Sequence, residues 1–421
     1  ATALLEETRQ EAFTRGDAAA AFFRDSVAPV YLDLVAALLD GAGLVDDDRQ
    51  REALLLEARS VVELQRAAEL RDYFHDPCVA DLERAVHTLD EVAHGAAIIY
   101  PIAEKERTEL LVTLPSGVRR FTVDVGEAAL TREARRFRIA LGRPGTRSHL
   151  EHGRRLYDWL VRPFAAELDR QGVDTLVFVP DGALRAIPPA AFHDGDRYLV
   201  ERYAVVVAPG IGLVDPHPLD RLGMSLLLAG VSEAVQGFPA LPKVPDELAA
   251  VHRLFGGELL LDESFRLPRV EAVLASTHPT VVHLASHAEF TGDSATSFLL
   301  THDGRITVDR LADLVGVARY GDRPLELLVL SACETAAGDD RAALGLAGVA
   351  IRAGARSALG SLWPIADEAA FATVAAFYRA LADPTLSKAA ALQQAQRALL
   401  ADERFHHPFY WSPFLLISNW L

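Results

Sequence analysis

Two stretches decide the fold: Val281-Val-His-Leu-Ala-Ser-His287 and Leu327-Leu-Val-Leu-Ser-Ala-Cys333. Each is a short, continuous apolar run that ends in residues able to do chemistry. A run of this length without polar alternation fits a strand buried on both faces, as in a parallel sheet with helices on either side. In such sheets, ligands and catalytic groups collect just past the carboxyl ends of the strands. If these two strands are parallel neighbours, His287 and Cys333 project into one crevice.

The same pattern places strands at 175–179, 225–229, 280–285, 325–330, 356–361 and 414–417. Helices are expected at 127–141, 147–171, 245–255, 342–354, 367–382 and 386–402. Three β-like runs, Ala97–Tyr100, Glu109–Thr113 and Phe121–Asp124, come earlier, with Ser116-Gly117 marking a hairpin turn. Strands alternating with helices give an α/β class and a mostly parallel sheet covered on both faces. Before Ala96 the chain reads as helical: Leu4 to Leu39, broken near Gly16-Asp17 and ending at Asp40-Gly-Ala-Gly43, then Asp47 to Phe74, then Val79 to Ala93. Paired helices of this kind fit the end of a helical repeat array, although no repeat period emerges.

Composition narrows the classes. Half of the 421 residues are hydrophobic and 24 % are charged, which excludes a wholly disordered chain. The formal net charge of −17 argues against a broad nucleic-acid or anionic-membrane surface. No apolar run is long enough for a bilayer and no signal segment opens the chain. With only Cys78 and Cys333 there is no disulfide framework, so a reducing, cytoplasmic setting is expected. Of the 42 basic residues only Lys105, Lys243 and Lys388 are lysines, an Arg bias that suggests a bacterial source. A start at Ala1 fits a trimmed chain or the C-terminal part of a longer one.

Taken singly, Cys333 reads as a small buried hydrophobe and His287 as a hydrogen-bonded loop histidine. Together, each at the end of an apolar strand, they read as a thiol beside an imidazole, the arrangement for nucleophilic acyl transfer. The His precedes the Cys by 46 residues, close to caspase order and spacing. His283 and His287 are spaced i,i+4, but they sit in a strand-to-loop segment without HExxH, CxxC or a third ligand, so no metal is expected. His283 reads as a packed histidine behind the site, facing the same way as Ala285. Phosphate loops, dinucleotide fingerprints and a GxSxG elbow are missing, and no cofactor is expected.

Residues from about 95 to 421 resemble the CHAT-domain family, caspase-like cysteine peptidases related to separase. The resemblance is carried by Leu176-Val-Phe-Val-Pro-Asp-Gly-Ala-Leu-Arg-Ala-Ile-Pro188, Tyr198-Leu-Val-Glu-Arg-Tyr203, His283-Leu-Ala-Ser-His287, Leu330-Ser-Ala-Cys-Glu-Thr335, Ala350 to Gly354, Leu359-Gly-Ser-Leu-Trp363 and His407-Pro-Phe-Tyr-Trp-Ser-Pro-Phe414. It implies a His287–Cys333 dyad and an oxyanion hole formed by the main-chain N–H groups of Ala288 and Cys333. It also implies a pseudo-caspase subdomain over 95–220 and a catalytic caspase-like subdomain over 221–421, which follow the helical segment read above over 1–94. Separase cleaves after Arg using an acidic residue shortly after a Gly-x-Leu-Trp segment. The matching residue is Asp367, a candidate S1 floor for a P1 guanidinium; equally, it reads as the N-cap of the following helix. Two departures stand out. Ala288 replaces the usual Gly, which would be strained if that position needs positive φ, and Ala336-Ala337 intervene before Gly338.

The function expected from this reading is a regulated cysteine endopeptidase acting on a protein or peptide; cleavage after Arg is one specificity it allows, which the dyad by itself does not fix. Competing readings are a catalytically silent CHAT scaffold and a non-peptide cysteine acyl hydrolase or transferase. An activating protein partner is expected at the helical N-terminus. Arg305, Arg310, Arg319, Arg323 and Arg341 are candidate self-processing sites.

Overall fold

The computed structural model describes residues 28–74, 95–214, 216–289, 296–317, 324–331 and 354–421. Two helices come first, α1 (Ala28–Leu44) and α2 (Asp48–Phe74), followed by the meander β1 (Ala96–Ala103), β2 (Thr108–Leu114) and β3 (Gly117–Val123). Then come α3 (Glu127–Leu141), α4 (Ser148–Leu160), α5 (Ala165–Arg170), β4 (Thr175–Phe178) and β5 (Ala204–Val207). The second half starts with β6 (Leu226–Gly230), α6 (Val244–Phe255), β7 (Glu258–Leu261), α7 (Leu267–Thr277) and β8 (Val281–Ala285). A small three-stranded sheet, β9 (Ala288–Glu289), β10 (Phe298–Leu300) and β11 (Arg305–Thr307), leads into α8 (Val308–Val317) and β12 (Leu327–Ser331). The chain closes with β13 (Ser357–Ser361), α9 (Asp367–Leu381), α10 (Lys388–Leu400), α11 (Pro408–Trp411) and β14 (Phe414–Ser418).

Eleven strands form one sheet in the order β3-β2-β1-β4-β5-β14-β13-β12-β8-β6-β7. It is parallel except where β1 meets β2, β2 meets β3 and β13 meets β14. The last strand joins the two halves: β14 lies between β13 and β5, pairing Leu416 with Val206. Successive strand residues alternate between two apolar cores, the expected result of a period of two. Ile99, Leu176, Leu284 and Leu330 pack under α3, α4, α7 and α8, whereas Ile98, Val177, Val281 and Val329 pack under α1, α2, α6, α9 and α10. Burial on both faces explains why these strands read as unbroken apolar runs.

Several boundaries differ from the sequence reading. The helix expected to stop at Asp40 runs through Gly41 and Gly43 to Leu44. Its side chains Tyr31, Val35, Leu39 and Ala42 dock on the sheet, and tertiary packing outweighs glycine's weak helix propensity. The helix expected over 147–171 breaks at Val161 into a 3-10 turn containing Pro163, which lacks the N–H a continuous helix needs. The helices read at 79–93 and 342–354 fall outside the described residues.

Family motifs remote from the crevice serve as fasteners. Asp181 and Arg185 of the Pro-Asp-Gly-Ala-Leu-Arg segment tie the end of β4 to α2. Arg185 forks onto Glu69 at 2.8 and 2.6 Å and reaches Asp181 at 3.0 Å, while Arg66 pairs with Asp181 at 2.8 Å. Burial pushes Asp181 upward, but the Arg66 and Arg185 charges overcome it and hold the carboxyl well below its usual range. The C-terminal His407 meets His149 of α4 at 3.1 Å, and His149 in turn bonds the Tyr198 hydroxyl at 2.8 Å.

Candidate active site

Strands β8 and β12 are parallel neighbours, with Leu327 opposite Val281 and Ser331 opposite Ala285. His287 follows Ala285 by two residues and Cys333 follows Ser331 by two. Cys333 itself lies outside the described residues. The strand ends thus open at one place on the sheet, where a covered parallel sheet presents its chemistry.

A loop between β6 and α6 wraps this end. Ser232 donates its N–H and hydroxyl to Asp262 at 2.6 and 2.7 Å, and Gln236 Nε2 donates to the carbonyls of Thr301 and Gly304 at 2.9 and 3.2 Å. Gln236 and Gly237 both take positive φ, 52° and 86°, a sharp reversal that glycine makes without strain. The reversal delivers Phe238 to within 5.1 Å of the His287 ring and puts the Pro239 carbonyl 2.9 Å from His287 Nε2. A carbonyl only accepts, so Nε2 carries the hydrogen and Nδ1 of the neutral ring keeps its lone pair. Nothing in the sequence singles out a carbonyl at Pro239, since any residue supplies one.

Ala288 is a buried strand residue of β9, paired with Leu299, and is not among the residues with positive φ. Alanine therefore fits there without strain. Leu300 N–H donates to the His287 carbonyl at 2.8 Å, so the alternation of an antiparallel ladder makes Ala288–Leu299 a non-hydrogen-bonded pair. The Ala288 N–H consequently points away from β10.

Asp367 is the first residue of α9, but the N-cap is Ala366 and the Asp367 side chain does not cap its own helix. Instead its Oδ2 accepts the main-chain N–H of Lys243, at the start of α6, at 2.6 Å. Burial raises the Asp367 pKa against the opposing pull of that hydrogen bond. The approach segment is pinned by buried Trp363, whose Nε1 donates to the Phe409 carbonyl at 3.1 Å. Arg138 lies 4.1 Å above the Trp363 ring, and burial lowers its pKa to about 10.

Behind the crevice, His283 is fully buried on β8. Its Nε2 meets Glu247 of α6 at 2.9 Å and its Nδ1 meets the Tyr378 hydroxyl of α9 at 3.2 Å. The network ties β8 to the two helices that flank Asp367. Glu247→Ala strips His283 of a buried partner and is expected to cost about 1–3 kcal/mol, with Glu247→Gln losing less because the amide still bonds. Urea titration of both variants reads this directly.

Among the described residues, no group of three or more His, Cys, Asp or Glu side chains is placed to hold a metal ion, and no helix is long and apolar enough to cross a membrane. Residues 150–419 match the CHAT domain. The chain belongs to the CHAT-domain family. Human tetratricopeptide repeat protein 28 is 24 % identical in a 323-residue alignment that covers 63 % of this CHAT chain and 13 % of that protein. Separase of Saccharomyces cerevisiae, solved with securin, superposes with a TM-score of 0.57 at 9 % identity over 91 % of this chain and 34 % of its own. A second structure of that complex gives 0.50, again at 9 % identity, covering 88 % and 34 %. This chain therefore spans about a third of separase and a much smaller part of the human protein. At such identity the likeness is one of fold, and the fold of this CHAT protein is that of the caspase-like cysteine peptidases.

Proposed function

We propose that this protein is a cysteine endopeptidase whose dyad is His287 and Cys333. The observation that carries the reading is the parallel pairing of β8 with β12, in a register that brings Ala285 beside Ser331, each two residues short of a dyad member. His287 Nδ1 takes the Cys333 thiol proton, the thiolate attacks the scissile carbonyl carbon, and the carbonyl π pair moves onto oxygen. The N–H groups of Ala288 and Cys333 receive that charge. The tetrahedral adduct collapses, the C–N bond breaks and His287 Nδ1–H protonates the departing amine. Water, deprotonated by His287, then cleaves the thioester to acid and free thiol. In this reading, 221–421 is the catalytic half, 95–220 the pseudo-caspase half and 1–94 the helical lead-in. A protein substrate or regulator is proposed by analogy with the securin-bound separase structure.

Asp367 is the proposed S1 carboxylate for a P1 Arg, supported by its partial exposure and by an anchor on Oδ2 that, among the described residues, leaves Oδ1 to meet a guanidinium. The test is intact-mass labelling with peptidyl electrophiles carrying Arg, Leu or Asp at P1. A single adduct on Cys333 with the Arg probe is the expected result. Asp367→Asn should slow Arg-probe labelling by on the order of tenfold or more while sparing the Leu probe. Labelling of wild type should also weaken as pH falls through the raised Asp367 value, because the neutral acid no longer pairs with Arg. Faster labelling by the Leu or Asp probe removes the S1 assignment, and absence of any adduct on Cys333 removes the peptidase reading.

A further inference from the structure

His287, Leu300 and Arg305 stand in one row across the small sheet. Leu300 N–H donates to the His287 carbonyl, and Leu300 pairs with Arg305 across β10 and β11. Residues opposite one another in an antiparallel sheet present their side chains to the same face. Arg305 therefore shares the face of His287, two strand spacings or about 10 Å away. Its guanidinium lies 4.1 Å from the centre of the Phe298 ring and 6.0 Å from that of Phe238. Phe238 is the same ring that packs 5.1 Å from His287, so one ring lies against both the imidazole and the guanidinium.

Arg305 is exposed and has no carboxylate within ion-pair distance among the described residues. Nearby Arg310 and Arg269 are paired, with Glu271 and Glu258. The guanidinium thus lies over two aromatic rings while the residue as a whole stays exposed, so a ligand can reach it from solvent. A planar fork of donors matches a carboxylate. In a chain of net charge −17, acidic peptides are repelled at long range, and an exposed cation on the face of His287, unpaired among the described residues, offsets that repulsion locally.

We propose that Arg305, shelved on Phe298 and Phe238, is a substrate subsite that takes an acidic side chain within about three residues of the scissile bond. This deepens the peptidase reading above and rests on it. Arg305 also lies paired in β11, a conformation that does not offer it as a cleavage site.

The test uses the full chain carrying Cys333→Ala, which binds without turnover. Fluorescent peptides of one sequence contain a central Arg, with Glu, Gln or Lys placed singly at each of three positions on either side. Anisotropy should show Glu binding about three- to tenfold tighter than Gln at one position, with the gain shrinking in high salt. Adding Arg305→Gln should erase the preference, Arg305→Lys should keep part of it, and Arg305→Glu should turn it toward Lys. Equal binding of Glu, Gln and Lys everywhere, a Glu preference that survives Arg305→Gln, or no binding up to about 1 mM overturns the subsite. Electrophile labelling separates the two readings. Labelled Cys333 with no Arg305-dependent preference removes only the subsite, and an Arg305-dependent preference without labelling removes only the peptidase.

Discussion

Cys333→Ala is expected to abolish turnover and covalent labelling together, and His287→Ala to lower turnover on the order of 10⁴-fold or more. Because the Pro239 carbonyl holds Nε2–H, proton traffic falls to Nδ1, and a side chain that keeps the first contact without the second separates positioning from chemistry. His287→Gln offers an amide N–H to the Pro239 carbonyl but has no basic nitrogen, so it should fold like wild type and remain as inactive as His287→Ala. Peptide hydrolysis, read beside circular dichroism, checks both. Retained hydrolysis in Cys333→Ala would remove the dyad, and retained hydrolysis in His287→Gln would remove His287 as the acid–base group.

The second large effect lies far from the crevice, in the ion network under α2. Arg66 and Arg185 are nearly enclosed, with side chains 4 % and 8 % exposed, while their partners Glu69 and Asp181 keep 27 % and 35 %. Removing one partner of a buried pair costs ~3–5 kcal/mol because a charge is left without compensation. With carboxylates about a third exposed the figure is discounted, and Asp181→Ala is expected to cost about 2–3 kcal/mol. Arg185→Met should cost less, since the carboxylates it leaves can hydrate.

The pH dependence has a definite sign. Asp181 and Glu69 are both held below their ordinary values in the folded protein, burial opposing and the arginines winning. Their contribution is therefore complete above the unfolded carboxylate range, near pH 4, and is lost as pH falls toward the folded values. The gap in stability between wild type and Asp181→Asn should be full at pH 7 and narrow steadily below about pH 4. Denaturant midpoints measured across that range provide the check, and a gap independent of pH would place the role of Asp181 in packing.

Much of the architecture was legible because it depends on local pattern. Val281–Ala285 and Leu327–Ser331 announce themselves as strands by unbroken apolar runs, and the residues that follow each run mark where chemistry gathers. Short or weakly patterned elements were harder to read. Strands β5, β7, β10 and β11 hold three or four residues each, too few for periodicity to separate them from loop. The small sheet that aligns His287 with Arg305 was unread for that reason, and Arg305 was visible only as a cleavage candidate.

The class of the fold, the two strands that point at one crevice and the family to which the chain belongs could all be read from the amino-acid order. These follow from side-chain type and order, which no partner can alter. Only folding puts the Pro239 carbonyl on His287, carries Asp367 to Lys243 of another helix and not to its own N-terminus, and sets Phe238 against both His287 and Arg305. Each depends on main-chain atoms common to every residue, or on contacts between residues dozens of positions apart. Such contacts exist only once burial has brought the elements together, and local sequence carries no trace of them.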